Sequence, residues 1–262
     1  MRMTIPVLMI LGLLAATGCQ TTSDSGAPAA TSGAQPAAAP QAFRGSYTSH
    51  DRVFALPPGE WRLVKTRTDT TNSDHAAPET FSVLVSVTGQ VIDRVAVVYV
   101  QRKYRYQDRW SQYKGCLTTE NPRVYSAEVR ENTGDRYNFT SNTRVDCWHV
   151  RSFSMGLKGD AHWTVEALNA YAKANGLYLA PTMVGARFAQ KPLYDRRDYV
   201  EFLWNADLLL GAPDGKPWPP EAFLRETVKS DPAKTAVMEG VKAWAADWRA
   251  RHPIASPERP TS

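Results

Sequence analysis

The sequence predicts an α+β fold: a mainly antiparallel sheet covered by two or three helices and stapled by one disulfide. Three observations carry this reading. Strand-like runs follow one another through residues 61–153, joined by turns too short for crossover helices. Two later stretches, 164–175 and 231–252, switch to helical spacing. Two cysteines, Cys116 and Cys147, lie within the part that reads as folded. Helices are expected to cover one face of the sheet.

The elements can be taken in order. Residues 61–66 (WRLVKT) read as a first strand after the turn Pro57-Pro58-Gly59. In the next run Phe81, Val83, Val85 and Val87 alternate with Ser82, Leu84 and Ser86, a period of two. Gly89-Gln90 can form a tight turn with glycine first, and residues 91–100 (VIDRVAVVYV) return as the second arm. That arm turns apolar on both faces, which places it in the sheet interior. Residues 122–131 and 137–141 suggest another hairpin around Asn132-Thr133-Gly134-Asp135. Residues 145–153 (VDCWHVRSF) form a further strand, which a bridge from Cys147 would pin to the Gly115-Cys116 turn.

The helical spacing begins at residue 164. Val165, Leu168, Tyr171 and Ala172 share one helical face, and Gly176 is a natural stop. Residues 182–189 and 199–206 form one more strand pair, with Pro181 marking an edge position or a strand start. The loop 211–220 (GAPDGKPWPP) is stiff, and Pro220 can open a short helix through Val228. Asp231 is a good N-cap with Pro232 at the first helical position. Val237, Val241, Trp244 and Trp248 then follow helical spacing, and Arg249, Arg251 and His252 suit the carbonyl end.

The first forty-two residues are of another kind. Residues 4–16 (TIPVLMILGLLAA) are apolar and uncharged after Arg2, and too few to span a bilayer. The run ends in Ala16, Thr17 and Gly18, followed by Cys19. This ending resembles the lipobox of bacterial lipoproteins, with Ala16 where leucine is favoured. The resemblance implies a signal peptide, residues 1–18, removed just before Cys19, and a Cys19 that carries diacylglycerol on its sulfur. Acyl chains such as palmitate contribute about 0.8 kcal/mol per buried methylene, and two or more hold a protein stably. Gln20 stands where an aspartate would mark inner-membrane retention in enteric-type lipoproteins, so the outer membrane facing the periplasm is implied. The other reading is an ordinary secretory leader with Cys19 an incidental thiol.

Residues 19–42 comprise the lipidated cysteine and a tether of Ala, Ser, Thr, Gly, Pro and Gln with one charge, Asp24. Such a segment cannot bury enough apolar area to offset its ordering entropy. As a flexible coil it spans about 25 Å, and about 75 Å when straight. Residues 43–252 form the α+β envelope domain, and residues 253–262 a flexible tail. Hydrophobics at 43% and eight tryptophans are ample for a core. The net charge of +5 falls to about +4 once Arg2 leaves with the leader, a mild excess. With Cys19 claimed by lipid, the oxidising envelope favours a Cys116–Cys147 bridge; the alternative is a nucleophilic thiolate at Cys147.

One stretch mixes cations with aromatic rings: Arg102, Lys103, Arg105 and Arg109 among Tyr104, Tyr106 and Trp110. Cations attract phosphates and carboxylates, and aromatic faces stack on sugars, so this is a candidate surface for an anionic lipid, a glycan or an envelope protein. The plainer account is a strand end whose arginines lie along aromatic neighbours. Nucleic acid is not expected for a tethered exported domain of so small a charge. His149, Asp160 and His162 could meet a metal or act as bases only if the fold gathers them. No zinc spacing, GxSxG, SxxK, phosphate loop or dinucleotide fingerprint occurs, so no cofactor, metal or catalytic residue is assigned. Trp218, in its proline-stiffened loop, either caps the core or meets a partner.

The reading that follows is a membrane-anchored envelope lipoprotein with a non-enzymatic binding or interaction role. The alternative is an envelope hydrolase acting on glycan or peptide through acids and histidines assembled by the fold. A deep pocket gathering two or more of Asp146, His149, Asp160 and His162 would favour the hydrolase. A shallow sheet face edged by Arg102, Arg105 and Arg109 would favour binding.

Overall fold

The computed structural model describes residues 41–69, 79–102, 121–133, 144–156, 163–193 and 196–252, all within the compact unit Ala39–Ser262. In chain order the described strands are β1 (Ala42–Phe43), β2 (Ser46–Ser49), β3 (Arg52–Ala55), β4 (Trp61–Asp69), β5 (Glu79–Thr88), β6 (Val91–Arg102), β7 (Val124–Thr133) and β8 (Arg144–Ser154). Helix α1 (Trp163–Ala174) follows, then β9 (Thr182–Leu193), β10 (Arg196–Asn205), α2 (Ala206–Leu210), α3 (Arg225–Lys229) and α4 (Pro232–Arg251). Eight strands form one sheet in the order β1-β4-β5-β6-β10-β9-β8-β7, and its pairings are antiparallel. β2 and β3 make a separate hairpin.

The β5–β6 hairpin has the expected two-residue turn. Thr88 pairs with Val91, and Gly89 takes φ +61°, a backbone state that an L side chain resists. Both faces of β6 are buried. Ala96, Val98 and Val100 join a cluster with Phe188, Phe202 and α4; Val95, Val97 and Tyr99 join a second cluster with α1. The expectation of helices on one face is therefore corrected: α1 covers one face, and α3 and α4 the other. The cause is the doubly apolar strand, which leaves neither face fit for water.

On the α4 face, Trp248 packs its ring 4.4 Å from Phe188 and 5.3 Å from Phe202, centroid to centroid. Asp231 caps α4 by accepting from the amides of Ala233 and Lys234 at 3.0 and 3.3 Å. Arg249, though buried, donates from Nη2 to both carboxylate oxygens of Asp146 at 2.8 Å and from Nε to Oδ1 at 3.3 Å. The β2–β3 hairpin closes the same face, with Tyr47 Oη donating to Ser82 Oγ at 2.8 Å and Arg52 Nε to Asp198 Oδ2 at 2.9 Å. No described helix is long and apolar enough to cross a membrane.

Other expectations shift. β7 continues as strand through Asn132 and Thr133, where a turn was expected, and pairs with β8, Thr133 opposite Arg144. Residues 134–143 lie outside the described residues. The helix foreseen from Pro220 through Val228 breaks at Leu224 (φ −70°, ψ 146°) into a single 3-10 turn, Pro220–Phe223, and α3. Ala42, assigned to the tether, already pairs with Arg62 as part of the sheet. β9 is interior, so Pro181 marks a strand start and not an edge.

Candidate functional site

The site follows from register. Val97 of β6 stands opposite Glu201 of β10, Glu201 opposite Arg187 of β9, and Arg187 opposite His149 of β8. Paired residues share a face, and so do residues two apart on one strand. The row therefore sets Glu201, Arg187 and His149, with Arg151 beside them, on the α1 side of the sheet. Glu201, Arg187 and Arg151 line a cavity of about 320 Å³. Arg123, Arg151, Arg187 and Glu201 supply its charge; Val97, Phe153, Val165 and Tyr199 supply apolar and aromatic wall.

Glu201 is 1% exposed and lies between two guanidinium groups. Arg187 Nη2 donates to its Oε2 at 2.7 Å, and Arg151 Nε stands 3.1 Å from its Oε1. The guanidinium of Arg187 lies over the Tyr199 ring at 4.6 Å and that of Arg151 over the Phe153 ring at 4.9 Å. Both contacts are in the range where a cation is attracted to an aromatic face. Arg123, half-buried just before β7, donates through Nη1 to the Pro220 carbonyl at 3.4 Å. The first turn of α1 also opens on the cavity, through buried Thr164 and through Val165. A helix start carries partial positive charge, so it adds to the sign set by the arginines.

These neighbours fix the titration of the cluster. Burial opposes the ionisation of Glu201, but the charges of Arg151 and Arg187 prevail and hold its pKa down at about 2. Burial, then the positive charges of Arg187 and Arg151, push His149 down to about 3. His149 is therefore neutral beneath the arginines, and its Nδ1 is buried without a hydrogen-bond partner. Among the described lining groups, three cations face one carboxylate.

A second cavity, of about 420 Å³, lies between the β2–β3 hairpin and the α4 face, with Phe188, Val200 and Trp248 in its wall. Its buried Asp198 pairs with Arg52, and Arg251, also in its lining, pairs with Asp247 one turn earlier on α4.

The residues singled out in the sequence are distributed otherwise than expected. Asp146 and His149, three apart on β8, point to opposite faces; Asp146 is bound to Arg249 of α4. Asp160 and His162 lie outside the described residues, as do Cys19, Lys103, Tyr104, Arg105, Tyr106, Arg109, Trp110 and Cys116. Arg102 ends β6 opposite Arg196. Cys147 is buried on β8, on the α1 side. Trp218 packs edge-on to Phe223, 6.0 Å between centroids, and donates from Nε1 to the Gly211 carbonyl at 2.8 Å. Among the described residues no three His, Cys, Asp or Glu side chains gather as a metal-ligand set.

Arg123, Arg151, Arg187 and Glu201 were not foreseen. The available signal was local: Arg187 interrupts the apolar run MVGARFA, and Glu201 interrupts YVEFLW. A charge inside a strand that is otherwise buried must be matched within the fold. Comparison with protein-family models, with curated proteins and with solved structures gives no match.

Proposed function

We propose that this chain is a membrane-anchored lipoprotein of the cell envelope whose folded domain binds a ligand without transforming it. The observation that carries the binding role is the cavity beside α1, whose charges are fixed across the ordinary pH range. A general acid or base works best with a pKa near the operating pH, and Glu201 and His149 are both held far below it. Fixed cations on a partly apolar wall suit recognition. Of the four residues named for the hydrolase alternative, Asp146 and His149 point to opposite faces, and Asp160 and His162 lie outside the described residues.

The anchor rests on Cys19 after its apolar leader, and the outer-membrane placement on Gln20. The staple Cys116–Cys147 belongs to the same reading, because Cys147 is buried and is not a free thiol. The test has two arms. Cys19→Ala should abolish lipid labelling and release the protein from membranes; retained label overturns the anchor. The lipidated protein should retain envelope components through purification and return them chemically unchanged; recovery of cleaved glycan or peptide overturns the binding role.

A further inference from the structure

We infer that the second cavity, between the β2–β3 hairpin and the last turn of α4, binds a small uncharged aromatic molecule carrying one hydrogen-bond acceptor. The site is separate from the cavity beside α1 and goes beyond the binding role proposed above. Its origin lies in how the two covers of this sheet face are fixed. The hairpin is held to β5 and β10, by Tyr47 on Ser82 and by Arg52 on Asp198. The end of α4 is held to β8, by Arg249 on Asp146. β9 runs between β10 and β8, so it lies under the seam between the covers. There Phe188 and Gln190 of β9, opposite Val200 and Asp198 of β10, line the space.

The lining selects the ligand. Phe54, Phe188, Val200 and Trp248, each more than nine-tenths buried, form an apolar inner wall. The rings of Phe188 and His252 pack on Trp248 at 4.4 and 4.8 Å between centroids, and a further ring can join them edge-on or offset. Val53, 66% exposed, carries the apolar wall out to the mouth. The charges of the lining are already paired, Arg52 with Asp198 and Arg251 with Asp247, so an ionised ligand would enter without a counter-charge. One donor is unmet: the indole Nε1–H of Trp248 is buried and has no partner among the described residues. An acceptor on the ligand would satisfy it. At about 420 Å³ the volume falls within the roughly 300–1,000 Å³ of small-molecule sites and suits one ring with a short substituent.

The full-length lipidated protein in lipid nanodiscs, with empty discs as the blank, can be titrated with acetophenone, ethylbenzene and benzoate. The backbone amides of Phe188 and Val200 report binding, and the Trp248 indole N–H reports the hydrogen bond. Acetophenone should shift all three signals saturably, with ethylbenzene and benzoate each about tenfold weaker. Val53→Asp, at an exposed position, should lower the acetophenone affinity severalfold. Trp248→Phe keeps a ring and removes the donor, and should bring acetophenone and ethylbenzene to within about twofold of each other. Equal binding of ethylbenzene to the unaltered protein would overturn the acceptor, and equal binding of benzoate the neutral ligand. No saturable shift with acetophenone, or affinities unmoved by both substitutions, would overturn the site. Each of these outcomes leaves the cavity beside α1 untouched, since that role is judged on the envelope components recovered with the protein.

Discussion

Glu201 and His149 each stay in the protonation state that their neighbours impose, and that ties stability to pH. His149 has a folded pKa of about 3 against about 6.5 in the unfolded chain. As pH drops below about 6.5 the unfolded state takes up a proton that the folded state refuses, so stability falls with acid. The loss is about 1.4 kcal/mol per pH unit, or roughly 2 kcal/mol between pH 6.5 and 5. His149→Leu removes this proton uptake and also the unpaired Nδ1. Denaturant midpoints of the two proteins should diverge from pH 7 to pH 5, the variant losing less; parallel curves would show that His149 is not buried neutral. Glu201, held at about 2, keeps its charge throughout that window. Glu201→Ala takes from Arg151 and Arg187 the carboxylate they share, and should cost about 3–5 kcal/mol at neutral pH.

At the scale of elements, two glycines in regular structure predict opposite outcomes. Gly185 lies in β9 opposite Leu203 of β10 and Arg151 of β8, and a Cβ there would collide with the Phe202 carbonyl oxygen. Gly185→Ala should therefore destabilise by about 3 kcal/mol, because backbone must move to make room. Gly240 is exposed in α4, and a Cβ there would meet nothing within 4 Å. Gly240→Ala should stabilise by up to about 1 kcal/mol through helix propensity. Chemical denaturation of both separates the two mechanisms; similar midpoints would contradict the β9–β10 approach. These elements also show what local sequence can reveal. The alternation from Phe81 to Val87, the Gly89 turn and the Asp231-Pro232 helix start act over a few residues, so they are legible. The β2–β3 hairpin and the burial of both sheet faces depend on partners far along the chain, such as Ser82 for Tyr47 and Asp198 for Arg52.

For the whole molecule the same distinction governs the site. Charges close in sequence, from Arg102 to Arg109, draw the eye, whereas Arg123, Arg151, Arg187 and Glu201 meet only because β8 pairs with β7 and β9, and β9 with β10. Only the interrupted apolar runs around Arg187 and Glu201 hint at it. The proposed Cys116–Cys147 bridge is the global constraint on this long-range arrangement. It would close a loop of about thirty residues in the unfolded chain, worth about 3–4 kcal/mol by chain entropy. Cys147 lies on β8 two residues from His149 and on the same face, so the bridge tethers the strand that also carries Arg151. Reduction should lower the melting temperature by roughly 10 °C for a domain of this size. It should also broaden the amide signals of Arg151 more than those of Val85, which lies in the β5–β6 hairpin. The oxidised lipidated protein should show no reactive thiol even when unfolded, since Cys19 would carry lipid. Two reactive thiols there, or a melting temperature unmoved by reductant, would remove the staple and leave the antiparallel pairings alone to hold the cavity together.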